Sequence, residues 1–154
     1  MPFQDYEEFI AALNKHGVRY LIIGAHAVAF HARPRATKDL DILVDPTPAN
    51  ARRIQKALRD FFGGVDTGYT MEELIDPRCI IQLGVAPIRI DLMPDVLGCP
   101  DFSAAWKKRI TSRFGNIKAH YPGLDDLITM KEASRRPQDL ADIRPLKRAR
   151  KRRR

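Results

Sequence analysis

Cysteine and long hydrophobic runs are both scarce in this sequence. Its two cysteines, Cys79 and Cys99, are too few for a disulfide framework and lack the spacing of a metal-binding motif. No apolar stretch approaches the roughly 20 residues that a membrane-spanning helix needs. The first residues include the acidic Asp5 and lack the basic and then apolar order of a signal peptide. These absences predict a protein of the reducing cytoplasm with no membrane partner.

The composition is that of a folded domain. Hydrophobic residues make up 44% of the 154 residues and charged residues 30%, which favours a packed core over disorder. The length suits one domain, and we find neither an internal repeat nor a linker. We therefore predict a single domain over residues 1–146, followed by a basic tail at 147–154.

The net charge of +8 is concentrated in that tail. It holds seven of the 27 Lys and Arg residues and no acidic residue, which leaves 20 basic residues against 19 acidic ones elsewhere. Such a block is expected to be solvated and mobile and to suit polyanions. Three interpretations stay open: a solubility tail or frayed helix end, a contact with nucleic acid such as RNA, and a contact with an acidic protein.

Hydrophobic periodicity predicts helices and strands mixed along the chain, as in an α/β (α+β) fold. The predicted helices are 4–16, 25–32, one that starts at Pro48 with Thr47 as its cap and ends near Gly63-Gly64, 71–75, 101–109, 124–134, and a last one that Pro137 opens. The predicted strands are 19–23, 38–45, 79–85, 88–92, 110–114 and 117–121. The third and fourth strands form a hairpin, as do the last two.

Two aspartates share one face of the second predicted strand. Asp39 and Asp41 lie two residues apart, so both carboxylates leave the same side, while the residues between and after them are apolar. Neighbouring carboxylates repel each other and resist desolvation, so the pair needs a positive partner. A divalent cation is one candidate. The alternative is that both acids face water or pair with Lys38, Arg33 or Arg35.

Two further features accompany this pair. Upstream, a strand leads through Gly24 into a helix that starts with Ala25 and His26, an arrangement whose free N–H groups can hold a phosphate. An ordinary tight turn is the alternative. Downstream, Asp91 lies in another apolar strand and could reach the aspartate pair, or it could pair with Arg89.

In this order, the features resemble the nucleotidyltransferase superfamily related to DNA polymerase beta. More narrowly, the sequence is similar to small bacterial members near the AbiEii-type toxins of type IV toxin–antitoxin systems. The matching segments are residues 23–29, residues 34–41 and Ile90-Asp91, with a second match over residues 127–142 that contains Lys131, Arg135, Pro137, Asp139 and Asp142.

The resemblance implies a mixed β-sheet flanked by helices, with further helices at the C-terminus. It implies that Asp39, Asp41 and Asp91 are catalytic and hold two Mg²⁺ (or Mn²⁺) ions, and that an NTP is the substrate. An NMP unit then passes to an acceptor hydroxyl of RNA such as tRNA, a protein or a small molecule, and pyrophosphate leaves. Asp91 takes the proton of that hydroxyl. A role in a toxin–antitoxin pair, with a cognate antitoxin as partner, follows from the same analogy.

The nucleotide-binding candidates come partly from this resemblance and partly from position. They are Gly24, Ala25, His26, Arg33, Arg35, Thr37, Lys131 and Asp139. For the two arginines surface charge is the alternative, for Lys131 and Asp139 a salt-bridge network between helices, and for His26 a packed histidine. Ala25 departs from the family, which usually has Gly-Ser or Gly-Gly at this turn.

A second function stays open beside the enzyme. A non-catalytic domain of the same fold could bind nucleic acid or a protein partner; the Ala25 departure leaves room for it, but the intact set of Asp39, Asp41 and Asp91 argues against it. A metal-dependent phosphohydrolase fits less well, because the sequence lacks a histidine-rich ligand set.

Overall fold

A computed structural model describes residues 2–34, 39–85 and 88–153, with side chains from Gln4 onward. Seven helices and six strands occur in these ranges. They are α1 (Pro2–Lys15), β1 (Tyr20–Ile23), α2 (Gly24–His31), β2 (Asp39–Val44), α3 (Pro48–Phe61), α4 (Met71–Ile75), β3 (Ile81–Val85), β4 (Ile88–Met93), α5 (Phe102–Lys107), β5 (Ile110–Phe114), β6 (Ile117–Tyr121), α6 (Leu124–Ser134) and α7 (Pro137–Arg153). None of the described helices is both long and apolar enough to cross a membrane.

Four strands form a mixed sheet in the order β1-β2-β4-β3. The central pair, β2 and β4, runs parallel, while β1 and β3 each pair antiparallel with their inner neighbour. Strands β5 and β6 form a separate hairpin. The predicted α/β fold, with a mixed sheet flanked by helices and two helices at the C-terminus, is confirmed.

The alternation along β2 divides its side chains between two hydrophobic clusters. Leu40, Ile42 and Val44 enter the larger cluster with residues of α1 and α3. Leu43 enters a smaller cluster on the other face, beside α5 and α6. Each fully buried aliphatic side chain contributes roughly 1.5–3 kcal/mol. Because both faces are covered around its C-terminal half, β2 is held in register, and its aspartates emerge where the second cluster ends.

Several local predictions match the structure closely. Thr47 caps α3 by accepting a hydrogen bond from the Asn50 N–H, and Pro48 is the first helical residue. Helices α4 and α6 and strands β5 and β6 have the predicted bounds. Local signals decided these elements, since caps, turns and periodicity are all short-range features.

Residues 147–153 continue α7, the last predicted helix, and most of them are exposed, as expected of a solvated segment, but Ala149 is buried and Arg150 is half-buried. Leu146 and Ala149 are buried at helical spacing and hold the helix against the body of the domain. Arg150 contacts Asp125 at 3.3 Å, and Arg153 donates a 3.0 Å hydrogen bond to the backbone oxygen of His31. The apolar residues between the basic ones explain the difference, because they give this segment a face to bury.

Candidate active site

Strand pairing brings the three predicted aspartates to one end of the sheet. In the parallel register of β2 and β4, Asp41 lies opposite Asp91, and Asp39 lies opposite Arg89. Residues two apart on a strand share a face, so all three carboxylates are on the same side. They line an open cavity of about 400 Å³. The cavity is completed by residues of three other elements and their flanks, including Gly24, Lys131, Arg136 and Asp139.

The aspartate cluster, which we define as Asp39, Asp41 and Asp91, is electrostatically strained. Burial and then the negative charges of Asp91 and Asp39 raise the pKa of Asp41 to about 6. The Arg89 guanidinium partly compensates, at 3.1 Å from Asp91 Oδ2 and 3.5 Å from Asp39 Oδ2. Asp91 Oδ1 is buried and accepts no hydrogen bond from a described residue. The cluster therefore has unsatisfied capacity for a cation or a proton.

These residues suit a hard divalent cation in their chemistry. All three offer carboxylate oxygen, the donor that Mg²⁺ and Mn²⁺ prefer, and the unpartnered Oδ1 of Asp91 supplies a site for one. Among the described residues, no group of three or more His, Cys, Asp or Glu side chains is arranged so that it could hold a metal ion. The Arg89 contacts with Asp39 and Asp91 account for part of this, since the guanidinium is the cation that these two carboxylates share.

Gly24 contacts Asp41 closely. Its φ of +69° suits glycine, and a Cβ added there would lie 2.5 Å from Asp41 Oδ2. The glycine is thus required by the aspartate as well as by the turn. It also begins α2, whose Ile23 cap residue makes no side-chain hydrogen bond to the first helical N–H groups. A helix N-terminus without a side-chain cap keeps donors for an anion.

Other predicted nucleotide contacts lie elsewhere. The His26 ring packs 5.8 Å from Tyr6 and 5.1 Å from Phe114, centroid to centroid, and burial lowers its pKa. Neither Ala25 nor the exposed Arg33 is among the described residues that line the cavity. For Ala25 and His26 only backbone N–H contacts remain as predictions. Arg35 and Thr37 lie outside the described residues.

Lys131 and Asp139 border the cavity. They also form a salt-bridge network between helices, which is the alternative interpretation of these two residues. Lys131 Nζ lies 3.1 Å from Asp139 Oδ1 and 3.2 Å from Asp142 Oδ2. All three residues are buried, Asp139 completely. Burial would raise the pKa of Asp139, but hydrogen bonds from Arg136, Ser134 and Lys131 hold it well below its usual range. We call Lys131, Asp139, Asp142 and Arg136 the buried network; it joins α6 to α7.

Sequence reasoning missed Arg136. It named the neighbouring Arg135, which instead ends α6 in a left-handed conformation at φ 53° and is exposed. Arg136 lines the cavity, and Asp139 holds its guanidinium through contacts of 2.8 Å and 3.3 Å. Its charge also lowers the pKa of Asp41. The available signal was its spacing three residues before Asp139, which suits an ion pair at a helix start.

A comparison with family models assigns the chain to a family. Residues 3–147 match the family described as "Nucleotidyltransferase of unknown function (DUF6036)". The chain belongs to this nucleotidyltransferase family. The match contains the aspartate cluster and the buried network, and it supports the superfamily that the sequence resembles. It does not distinguish the AbiEii-type subgroup. No curated protein matches the chain.

Proposed function

We propose that the chain is a metal-dependent nucleotidyltransferase that moves an NMP unit from an NTP to an acceptor hydroxyl. The main support is the parallel register of β2 and β4, which sets Asp41 beside Asp91 in an open cavity next to Gly24. Membership of the nucleotidyltransferase family supports the reaction class. Asp39, Asp41 and Asp91 would hold Mg²⁺ or Mn²⁺. When bound, two such ions supply charge neutralisation at the attacking and leaving oxygens.

The residues of this chain have distinct tasks in the proposal. Asp91 accepts the proton of the acceptor hydroxyl on its carboxylate. The N–H groups at the start of α2 bind phosphate oxygens beside Gly24. As the acceptor oxygen bonds to the α-phosphorus, the bond from that phosphorus to pyrophosphate breaks. The tight contact between Gly24 and Asp41 sets the separation between the phosphate site and the carboxylates.

Arg136 is the proposed cation for the leaving pyrophosphate. It lines the cavity with about 60% of its side chain exposed, while its partner Asp139 is fully buried. Asp139 thus orients the guanidinium without neutralising its open side, and Lys131 fixes Asp139 in turn. Lys131 and Asp139 are positioning residues in this proposal.

A non-catalytic domain is the second candidate function. The observation that favours it is the pairing of Arg89 with Asp39 and Asp91, which satisfies part of the aspartate cluster without a metal. Such a domain would bind nucleotide or partner in the cavity without transferring a group. Ala25, in place of the usual Gly or Ser, is consistent with weaker phosphate binding.

The biological role in the proposal comes from the AbiEii-type resemblance alone. It is that of a toxin-type transferase of the cytoplasm with a cognate antitoxin protein as partner. Co-expression with neighbouring genes of the source genome, scored by cell growth and co-purification, tests this role independently of the chemistry.

The deciding experiment measures label transfer. The purified chain is incubated with each α-³²P-labelled NTP, Mg²⁺ or Mn²⁺, and total RNA, total protein or small hydroxyl compounds. We expect transfer by the wild type and a loss of about 10³-fold or more in the Asp39→Asn/Asp41→Asn double variant. Asp66→Asn is the matched control, since Asp66 is exposed and outside the cavity lining.

Two outcomes overturn the proposal. One is label transfer that survives in the double variant, because the aspartates would then not be the site. The other is binding of NTP by the wild type, shown by equilibrium dialysis, with no transfer to any acceptor class. That result would establish the second candidate.

A further inference from the structure

Helix α7 has two faces of different character. On its inner face, Asp142, Leu146 and Ala149 are buried, and Arg150 and Arg153 make the contacts with Asp125 and His31 described above. The outer face begins with two aliphatic residues and continues with four basic residues. We call this outer set the α7 basic face: Leu140, Ile143, Arg144, Lys147, Arg148 and Lys151.

The six residues of the α7 basic face form one stripe. Their spacing of three or four residues places them on one side of a helix, about 16 Å long at 1.5 Å per residue. They line a shallow groove of about 480 Å³. No acidic residue is among them, so the stripe presents four positive charges of one sign.

These basic residues make few ion pairs with other described residues. None of the ion pairs between described residues involves Arg144, Arg148 or Lys151, and Lys147 makes only a half-exposed contact of 3.3 Å with Glu132. Exposed pairs of this kind contribute little, typically under 1 kcal/mol. Arg150 and Arg153, by contrast, are occupied on the inner face. The four basic residues of the stripe are therefore available to a ligand, as is the exposed Arg152 near the end of α7.

The stripe begins at the cavity. Asp139, in the first turn of α7, lines the cavity, and Leu140 directly follows it. Arg136, also in the lining, lies one helical turn before Leu140. A chain that follows the α7 basic face toward the start of the helix thus arrives beside the aspartate cluster.

From this placement we infer that the α7 basic face binds the phosphodiester backbone of a single-stranded polynucleotide and leads one end of the strand to the cavity. Regularly spaced cations suit a repeating anion, and arginine forks suit phosphate oxygens. Leu140, 47% exposed, offers an apolar contact for a base. An acidic protein fits less well, because the stripe has only two aliphatic residues and no aromatic anchor.

This inference rests on the proposed function only for the statement that the bound strand is the acceptor. The binding itself does not require catalysis. Binding and transfer are therefore measured separately, so that each can fail without the other.

The test compares two variants of equal charge. One changes the α7 basic face by Arg144→Gln, Lys147→Gln, Arg148→Gln and Lys151→Gln. The control removes four charges from the exposed side of α3 by Arg52→Gln, Arg53→Gln, Lys56→Gln and Arg59→Gln. Helix α3 contributes no residue to the cavity, so its face has no path to the site.

Binding is followed by fluorescence anisotropy of a labelled 20-nucleotide single strand, as RNA and as DNA of the same sequence, over 50–300 mM KCl. We expect the α7 variant to lose at least tenfold in affinity at 100 mM KCl and the control less than threefold. The slope of log K against log salt should fall by about 3 for the α7 variant, from about 0.7 per lost contact. The RNA and DNA arms identify which strand is preferred.

Thermal unfolding checks that both variants are folded. We expect the melting temperature to be unchanged, because the substituted side chains are exposed. Equal losses in the two variants would overturn the inference, because binding would then follow net charge alone. So would displacement of the strand by an acidic peptide at lower concentration than by unlabelled strand. Binding is measured without NTP or divalent cation, so a failure of the transfer reaction leaves the result of this test intact.

Discussion

Two clusters of charged side chains face the same cavity, and they differ in how their charges are balanced. The buried network has two carboxylates, Asp139 and Asp142, against two cations, Lys131 and Arg136. In the aspartate cluster, the ion pairs between described residues join Arg89 to Asp39 and to Asp91 and leave Asp41 beside two other carboxylates. The carboxylate of Asp139 therefore lies among cations, whereas that of Asp41 lies among negative charges.

The pKa shifts follow this difference. Asp139 has its pKa held well below the usual range although it is fully buried, because three donors stabilise its charge. Asp41 has its pKa raised to about 6, because burial and its carboxylate neighbours disfavour its charge. A balanced cluster stabilises the fold, whereas an unbalanced one stores repulsion that a ligand can relieve.

Removing the cation of the buried network should give the largest effect on stability. Lys131→Met leaves Asp139 and Asp142 buried without their shared partner, and we expect a loss of about 3–5 kcal/mol in the free energy of unfolding. Urea denaturation followed by circular dichroism measures it. Lys147→Met, which breaks the exposed pair with Glu132, should cost less than about 1 kcal/mol. Equal losses in the two variants would contradict a structural role for the network.

The contact between Gly24 and Asp41 is tested by alanine. Gly24→Ala adds a Cβ at a φ of +69° and 2.5 Å from Asp41 Oδ2, and we expect a loss of about 2–4 kcal/mol. Gly63→Ala is the matched control, because Gly63 has the same φ of +69° and nothing within 4 Å of the added atom. It should cost about 1–2 kcal/mol. If both variants melt alike, Asp41 does not limit the space at this turn.

Neutralising Asp41 should increase the free energy of unfolding, in contrast to the two substitutions above. Its raised folded pKa means that stability present below pH 3.8 is lost as the pH rises through about 6. In EDTA at pH 8 we therefore expect Asp41→Asn to be more stable than the wild type by about 1–2 kcal/mol, with no difference at pH 4. Asp139→Asn should be destabilised at pH 8, since the charged form is the stabilised one there. Urea curves at both pH values decide the point, and a destabilised Asp41→Asn at pH 8 would refute the stored repulsion.

We expect His120 to make the smallest of these pH-dependent contributions to the free energy of unfolding. Burial, then the charges of Arg109 and Lys118, lower its pKa to about 4. Because the folded pKa is depressed, stability present above pH 6.5 is lost as the pH falls toward 4. We expect His120→Asn to reduce that loss by about 1 kcal/mol between pH 7 and pH 5, measured by urea denaturation. An unchanged pH dependence in the variant would assign the acid sensitivity to other groups.

Much of this molecule follows from local pattern. The cap at Thr47 and the bounds of β5, β6 and α6 depend on residues within a few positions of each other, so short-range physical chemistry was sufficient. The same applies to Asp39 and Asp41, whose common face follows from the period of a strand. The prediction that Lys131 and Asp139 border the cavity depended on a family resemblance instead.

Other features required contacts between distant parts of the chain. Whether Asp91 meets Asp41 depends on β2 pairing parallel with β4, and no local signal specifies which strands pair. The choice of Arg136 over Arg135 depends on the left-handed residue that ends α6. The burial of the His26 ring between Tyr6 and Phe114 depends on how α1 and β5 pack on α2.

The sequence by itself determined the secondary structure, the shared face of the two aspartates and the excess of basic residues near the end of the chain. Only the tertiary structure decided that Asp91 and Arg89 join those aspartates, and that burial of Leu146 and Ala149 gives the basic end of the last helix an inner and an outer face. The physical reason is range. Periodicity and capping act within one element, whereas charge balance and burial depend on which elements meet.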